Sequence, residues 1–342
     1  MTRCSSAPCS CIAKLDDSVA FDFDDFPWGC EYYLRTGKMM ADDGIEQLRA
    51  FDAIYRGAVG APSVPDHISL WGLLLKIRKE FDEYVNVRPV KLLEGAHGVI
   101  TPLKNVGRGD IDMTVIRENS EGEYAGAGAW LYKGKPHETV LQTGVFSRVG
   151  TERIIRYAYD LARAQGKTLT SVSKGNALNY SMVFWDGVFE EVGREYPDVE
   201  THSLLVDAAA MNFVMHPARF QVVVTSNLFG DILTDLGAAI VGGMGLAAGA
   251  NLNPEKKYPS MFEPIHGSAP DIAGRGIANP LASIWSVSQM LDFLGLPAWG
   301  AAVIQAIETV VRGPVLTVDM GGTASTSEVG DELARVLVAP ND

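Results

Sequence analysis

Past residue 30 the chain has no cysteine: all four, Cys4, Cys9, Cys11 and Cys30, fall within the first thirty of 342 residues. That placement excludes a disulfide framework. Cys4, Cys9 and Cys11 match no common zinc spacing and read as a thiol-bearing tail; a metal held with a fourth ligand is the alternative. A basic surplus is also missing. Lys and Arg number 29 against 42 Asp and Glu, a net charge of −13, which argues against nucleic acid or an anionic membrane as the main partner. It leaves room for an anionic small molecule, since a few arginines can make a positive pocket in an acidic protein. No apolar run approaches the ~20 residues of a membrane span, and the N-terminus lacks the apolar core of a secretory signal. A cytoplasmic protein is the expectation. Internal repeats and low-complexity linkers are absent, and so is a dinucleotide fingerprint. GGMGLAAG (242–249) follows a helical pattern rather than a strand, and so fails the context that fingerprint needs.

What is present is ordinary globular sequence. The 47% hydrophobic and 21% charged residues are enough for a large core, and the length suits about two domains. Strand-like and helix-like stretches alternate, which predicts an α/β fold with a largely parallel sheet. FDAIYRGAVG (51–60) reads as a strand ending in a glycine turn, and 69–84 as an amphipathic helix. Residues 110–119 read as a strand, and 151–167 as a helix closed by Gly166. Residues 168–176 read as a strand followed by the helical YSMVFWDGVFEEV. RFQVVVTSN (219–227) is a strand feeding the helical LFGDILTDLGAAIV. GGMGLAAGANLNP (242–254) and MFEPIHGSAPDIAGRGIANP (261–280) read as loops. Ser325 with Glu328 predicts a capping box.

Chemistry is concentrated in a few places. Asp231 and Asp235 stand four apart at the start of a predicted helix, so both carboxylates share one face. Two hard oxygen ligands suit Mg²⁺ or Mn²⁺; acids complementing the helix dipole are the plainer reading. Asp207, at another strand-to-helix junction, could complete a metal site. Arg78 lies on a helix, while Arg88 and Arg117 sit where strands end, the usual place for ligand contacts in such sheets. Arginine suits bidentate carboxylate binding, although a lone arginine is more often a surface residue. Lys174, directly after a strand, and Tyr124, in a glycine-flanked loop, are the proton carriers. A lysine near a metal and arginines should have a lowered pKa and act as a base. The 261–280 segment holds Glu263, His266, Asp271 and Asn279, a density of polar and small residues that suggests function.

At these residues the chain resembles the β-decarboxylating dehydrogenases, the family of isocitrate and isopropylmalate dehydrogenases. NLFGDILTDLGAAIVGGMGLAAGANLNP (227–254) and FEPIHGSAPDIAGRGIANP (262–280) carry the resemblance, which runs from about residue 21 to the C-terminus. FDFDDFPWGCEYYLRTGKMM, VPDHISLWGLLLKIRKEFDEYVNVRP, ALNYSMVFWDGVFEEV and NLNPEKKYPSMFEP are similar to its tartrate and D-malate (decarboxylating) branch. Isopropylmalate dehydrogenase is the nearest rival, and a non-catalytic regulatory subunit is the rival of another class. Trp71 and Leu74 on the Arg78 helix face would narrow the space for a branched alkyl group.

The resemblance implies that Arg78, Arg88 and Arg117 hold the carboxylates of a small 2-hydroxy diacid. Asp231 and Asp235 would bind Mg²⁺ or Mn²⁺ together with Asp207. Lys174 would take the C2 hydroxyl proton and Tyr124 would supply one at C3. The family pocket is shared across a homodimer, so Lys174 and Asp207 would come from the second subunit. His266, Gly267, Ser268, Ala269, Asp271 and Asn279 would wrap the adenine end of NAD, with Asp271 accepting from the ribose and repelling a 2′-phosphate. Glu263 would sit near the nicotinamide. Some relatives also need K⁺. The implied fold is α/β, two domains around one shared mixed sheet of about a dozen strands. Residues 21–84 and 242–342 would form the discontinuous cofactor-binding domain. Residues 85–241 would carry substrate, metal and dimer contacts, with a dimer arm after Tyr124. Residues 1–20 stand where the family has its first strand and a G-D-G-I-G turn, so that strand is expected to be missing and the segment disordered.

Overall fold

The computed structural model describes residues 21–95 and 98–338; the readings of residues 1–20, with Cys4, Cys9 and Cys11, lie outside them. In chain order, helices α1 (Cys30–Thr36) and α2 (Gly44–Leu48) precede strand β1 (Ala53–Tyr55). Helix α3 follows over 66–80, with a π-helical turn at Leu70–Leu74. Then come β2 (Val85–Lys91), the short β3 (Glu94–Gly95) and β4 (Gly98–Val99), β5 (Asp112–Glu118), and a hairpin of β6 (Gly122–Leu131) and β7 (Thr139–Val145). Next are α4 (Arg148–Gln165), β8 (Leu169–Ser173), α5 (Ser181–Gly193), β9 (Thr201–Leu205), α6 (Val206–Met215), β10 (Val222–Thr225) and α7 (Asn227–Ile240). β11 (Ala248–Leu252), β12 (Ser260–Pro264), α8 (Leu281–Phe293), α9 (Pro297–Arg312) and α10 (Thr326–Val336) complete the chain. Among the described residues no helix is long and apolar enough to cross a membrane.

The described residues divide into two compact units, the first made of 21–83, 91–95, 98–111 and 238–338, the second of 84–90 and 112–237. Among the described residues the main sheet has eight strands, not about a dozen. In the first unit β12 lies between β1, to which it is parallel, and β11, to which it is antiparallel. The segment 242–254 therefore is not one long loop. Ala248–Leu252 form a wholly buried strand whose small side chains let the neighbouring helix α8 lie close. Likewise 261–264 belong to β12, so Glu263 stands on a buried strand. Trp28, Met39, Leu73, Ile77, Phe81 and Met261 form one apolar cluster around α3.

In the second unit the strand order is β2-β5-β10-β8-β9, with β5, β10, β8 and β9 all parallel. The central strand, VVVT, is buried throughout, as a strand covered on both faces should be. Helix α4 is capped by Ser147, whose hydroxyl accepts from the Gly150 N–H at 2.9 Å, and closes on a left-handed Gly166. The capping box at Ser325 and Glu328 is present. Helix α3 starts at residue 66 and ends at 80, rather than spanning 69–84. Its π turn separates two residues whose spacing predicted one face. Leu74 is buried, while Trp71 is partly exposed with the Lys79 ammonium 4.5 Å from its ring centre.

Candidate active site

Register in the second unit carries three candidate side chains and the start of α7 to one edge of the sheet. Arg117 pairs with Thr225 of β10, Thr225 with Val172 of β8, and Ser173 with Leu205 of β9. The residues that follow these strands, Lys174, Asp207 and the first turn of α7, therefore leave from the same carboxyl edge as Arg117, where open α/β sheets bind ligands. Arg88 differs from expectation. It lies in the middle of β2, not at its end.

Asp231 is the hub. Its Oδ1 accepts from Arg117 Nη1 at 2.6 Å and from Arg88 Nη1 at 3.3 Å, and its Oδ2 accepts from the Tyr124 hydroxyl at 3.0 Å. Both arginines are buried, and each is fixed by a second partner. Arg117 donates to the side-chain and backbone oxygens of Asn227, and Arg88 donates to Asn86 Oδ1 and to Thr234 Oγ1, both at 2.5 Å. Asn227 and Thr234 were not singled out in the sequence. A polar residue closing the stretch read as a strand (219–227) was the available signal for Asn227.

Tyr124 is not in a loop. It belongs to β6, in an irregular stretch where the register with β7 shifts between Gly122 and Ala127. A bulge of this kind re-aims side chains. Asp235 lies one helical turn beyond Asp231, and neither is in the first turn of α7, which removes the helix-dipole reading. The Asp235 carboxyl is pushed up by burial and then by the Asp231 charge, against the pull of Arg88 and Arg117. A pair of hard oxygen donors that repel each other fits a divalent cation, which offsets both charges and keeps its remaining ligands as water or substrate.

Asp207 does not join this pair in the same chain; among the described residues no group of three His, Cys, Asp or Glu is placed to hold a metal. Instead Asp207 pairs with Lys174, Nζ to Oδ1 at 2.6 Å, which holds the Asp207 carboxyl below its usual range. The charge facing Lys174 in this chain is thus an acid, where arginines and a metal were expected.

The first unit holds a second charged cluster, wholly buried. Glu263 receives Arg56 Nε at 2.6 Å and a further Arg56 N–H on Oε2, and Arg78 Nη2 at 3.0 Å and Asn251 Nδ2 at 2.9 Å on Oε1. Burial alone would push Glu263 up, but Arg56 and then Arg78 outweigh it and hold the carboxyl at about 2. Glu83, fully buried nearby, is pushed well up by burial, which Arg78 and Arg56 only partly oppose. Arg78 is therefore engaged with Glu263. Arg56 was missed in the sequence.

Beyond β12 the chain turns outward. His266 and Ser268 are half-buried, while Gly267, Ala269 and Asp271 are exposed. Ala269 adopts a positive φ of 43°, and a Cβ on Gly60 would lie 3.0 Å from Ser268 Oγ. The GAVG turn thus lies against this loop, an open, backbone-rich cradle that fits a cofactor. Asn279 is buried and held in place. Its amide donates to Asp319 at 3.0 Å and its oxygen accepts from the Leu281 N–H at 3.0 Å.

Carboxylates set beside buried arginines at the carboxyl edge of a parallel sheet make up the donor set of an enzyme site for a cation and an anionic ligand. Residues 5–333 match the family described as isocitrate/isopropylmalate dehydrogenase, a match that starts well before residue 21. The chain is 51% identical over 327 residues to the D-malate dehydrogenase (decarboxylating) of Escherichia coli, covering 93% of this chain and 90% of that one. It is 50% identical over 337 residues to the tartrate dehydrogenase/decarboxylase of Pseudomonas putida, covering 95% and 92%. The crystal structure of isocitrate dehydrogenase from Methylococcus capsulatus superposes with a TM-score of 0.87 at 33% identity, covering 97% and 94%. This chain belongs to the isocitrate/isopropylmalate dehydrogenase family.

Proposed function

We propose that the chain oxidises a small 2-hydroxy diacid with NAD and Mg²⁺ or Mn²⁺, converting D-malate to pyruvate and CO₂, oxidising tartrate, or both. The observation that carries this reading is Asp231, a carboxylate tied at once to two buried arginines and a tyrosine, with Asp235 one turn away.

Asp231 and Asp235 hold the cation, with Asp207 as the third acid. When bound, the cation polarises the C2 oxygen as a Lewis acid and offsets the negative charge left by loss of CO₂. Arg88 and Arg117 bind substrate carboxylate, each already oriented by a second partner, and Arg78 is assigned a carboxylate as well. Leu74 and Trp71 limit the size of the substituent. Lys174 would accept the C2 hydroxyl proton, and NAD, when bound, would supply the hydride acceptor. After decarboxylation Tyr124 returns a proton to C3. Glu263 would serve the nicotinamide side of NAD, and His266, Gly267, Ser268, Ala269, Asp271 and Asn279 would serve its adenine side, with Asp271 favouring NAD.

The working form is a homodimer in which Lys174 and Asp207 serve the partner's site, and K⁺ supports turnover. Exposed apolar residues on α5 (Val183), α6 (Met211, Val214, Met215) and the β6–β7 hairpin (Trp130, Tyr132, Leu141) support the dimer, because a surface this apolar marks an interaction face.

The test is nicotinamide reduction by purified protein with NAD, Mn²⁺ and K⁺, supplied separately with D-malate, L-tartrate, meso-tartrate and 3-isopropylmalate. Turnover of D-malate or a tartrate is expected. Turnover of 3-isopropylmalate alone, or of nothing by a well-folded dimer, overturns the reading.

A further inference from the structure

We propose that Arg56 is a positioning residue: by occupying Oε2 of Glu263, it keeps the nearby Arg78 from being locked into a two-bond pair and so leaves Arg78 able to bind the diacid. This rests on the reading of Arg78 as a substrate arginine.

The placement follows from register. β1 and β12 are parallel, with Tyr55 opposite Phe262, so the next residues, Arg56 and Glu263, stand side by side. The Arg56 backbone N–H donates to Phe262 O at 2.9 Å and continues the ladder. Adjacent residues in register share a face, and the Arg56 side chain meets the carboxylate directly. A carboxylate accepts about four hydrogen bonds. Arg56 supplies two, both on Oε2, while Asn251 and Arg78 share Oε1.

Arg78 is consequently reached through Nη2. Its Nε has no hydrogen-bond partner although the residue is only 4% exposed. A guanidinium normally meets a carboxylate through two parallel N–H bonds, and a buried N–H without a partner is unfavourable. With Oε2 free, Glu263 would take Arg78 through both Nε and Nη2. Arg56 blocks that arrangement and leaves an unsatisfied donor for an incoming carboxylate. A structural role alone, neutralising Glu263, is the competing account. It predicts that diacid binding falls only as far as stability does.

The experiment is calorimetric titration of D-malate into the protein with Mn²⁺ present, alongside NAD titration and thermal unfolding. Arg56→Gln is expected to weaken D-malate binding about tenfold with NAD affinity little changed. Arg56→Lys, which keeps the charge but loses the fork, is expected to fall between. The decisive comparison is on the Glu263→Gln background, where the Glu263 carboxylate no longer competes for Arg78. There Arg56→Gln should change D-malate affinity less than about threefold, and this pair remains informative if Arg56→Gln alone fails to fold. Equal losses on both backgrounds overturn the positioning role, as does no loss in Arg56→Gln. If Arg78→Gln binds D-malate normally, the substrate role of Arg78 fails, and the proposal with it.

Discussion

Glu83 and Glu263 face the same two arginines, yet burial wins at Glu83 and loses at Glu263. Their contributions to stability therefore run in opposite directions with pH. Glu263 is held down at about 2, so it stabilises the fold above about pH 4.5 and that share is lost as pH falls toward 2. Glu83 is raised, so the folded state keeps a proton that the unfolded chain gives up, and stability declines as pH rises past about 4.5. Glu83→Gln removes only the second effect. Its stability relative to the parent should rise with pH from 5 to 8, by at most about 1.4 kcal/mol per pH unit, in urea unfolding; a gap independent of pH refutes the assignment. At the metal pair, Asp235→Asn should weaken Mn²⁺ binding at least about tenfold, the least expected of even an outer-shell partner, with Tm equal or higher because a raised carboxyl is replaced by a neutral one. Spacing and strand-end position made Asp231, Asp235, Lys174 and Asp207 legible in the sequence. Arg56 was not, because its meaning depends on β1 lying beside β12, a pairing across 207 positions (260 minus 53).

Helix α7 reaches its sheet through two glycines. A Cβ at Gly230 would sit 2.6 Å from Cγ of Arg117, and one at Gly237 would sit 2.8 Å from a Val90 methyl. Both substitutions overpack, at about 1–3 kcal/mol each, but only one of them touches a side chain proposed to bind the substrate. Gly230→Ala should raise the KM for the diacid several-fold besides lowering stability, whereas Gly237→Ala should lower stability with KM nearly constant. Steady-state kinetics with denaturant melts separate the two, and equal KM values would detach Arg117 from the substrate. Helices and parallel strands with strong periodicity were read correctly. The misread elements were β11, whose Ala and Gly look like loop yet fill a tight antiparallel pairing, β12, read as the start of a loop, and the bulged stretch of β6 that holds Tyr124. The π turn of α3 is invisible to a 3.6-residue period, so the different exposure of Trp71 and Leu74 was not legible.

For the whole molecule, the separation of Lys174–Asp207 from Asp231–Asp235 within one chain gives a sharp test of sharing between subunits. Lys174→Ala and Asp231→Asn should each be nearly inactive. Mixed after subunit exchange, half of the dimers are hybrids, and each hybrid assembles one intact site of two. Activity should therefore return to about a quarter of the parent's, and no recovery from confirmed hybrids would place all four residues in one subunit. The discontinuous first unit has a further consequence, for synthesis. Strand β1 leaves the ribosome some 207 residues before β12, its parallel partner, an interval of roughly 10–40 s at about 5–20 residues per second. The second unit, whose last residue is Gly237, can close first. Through that interval β1 stands without its parallel partner, an open strand edge that makes this stretch the natural client for a holding chaperone.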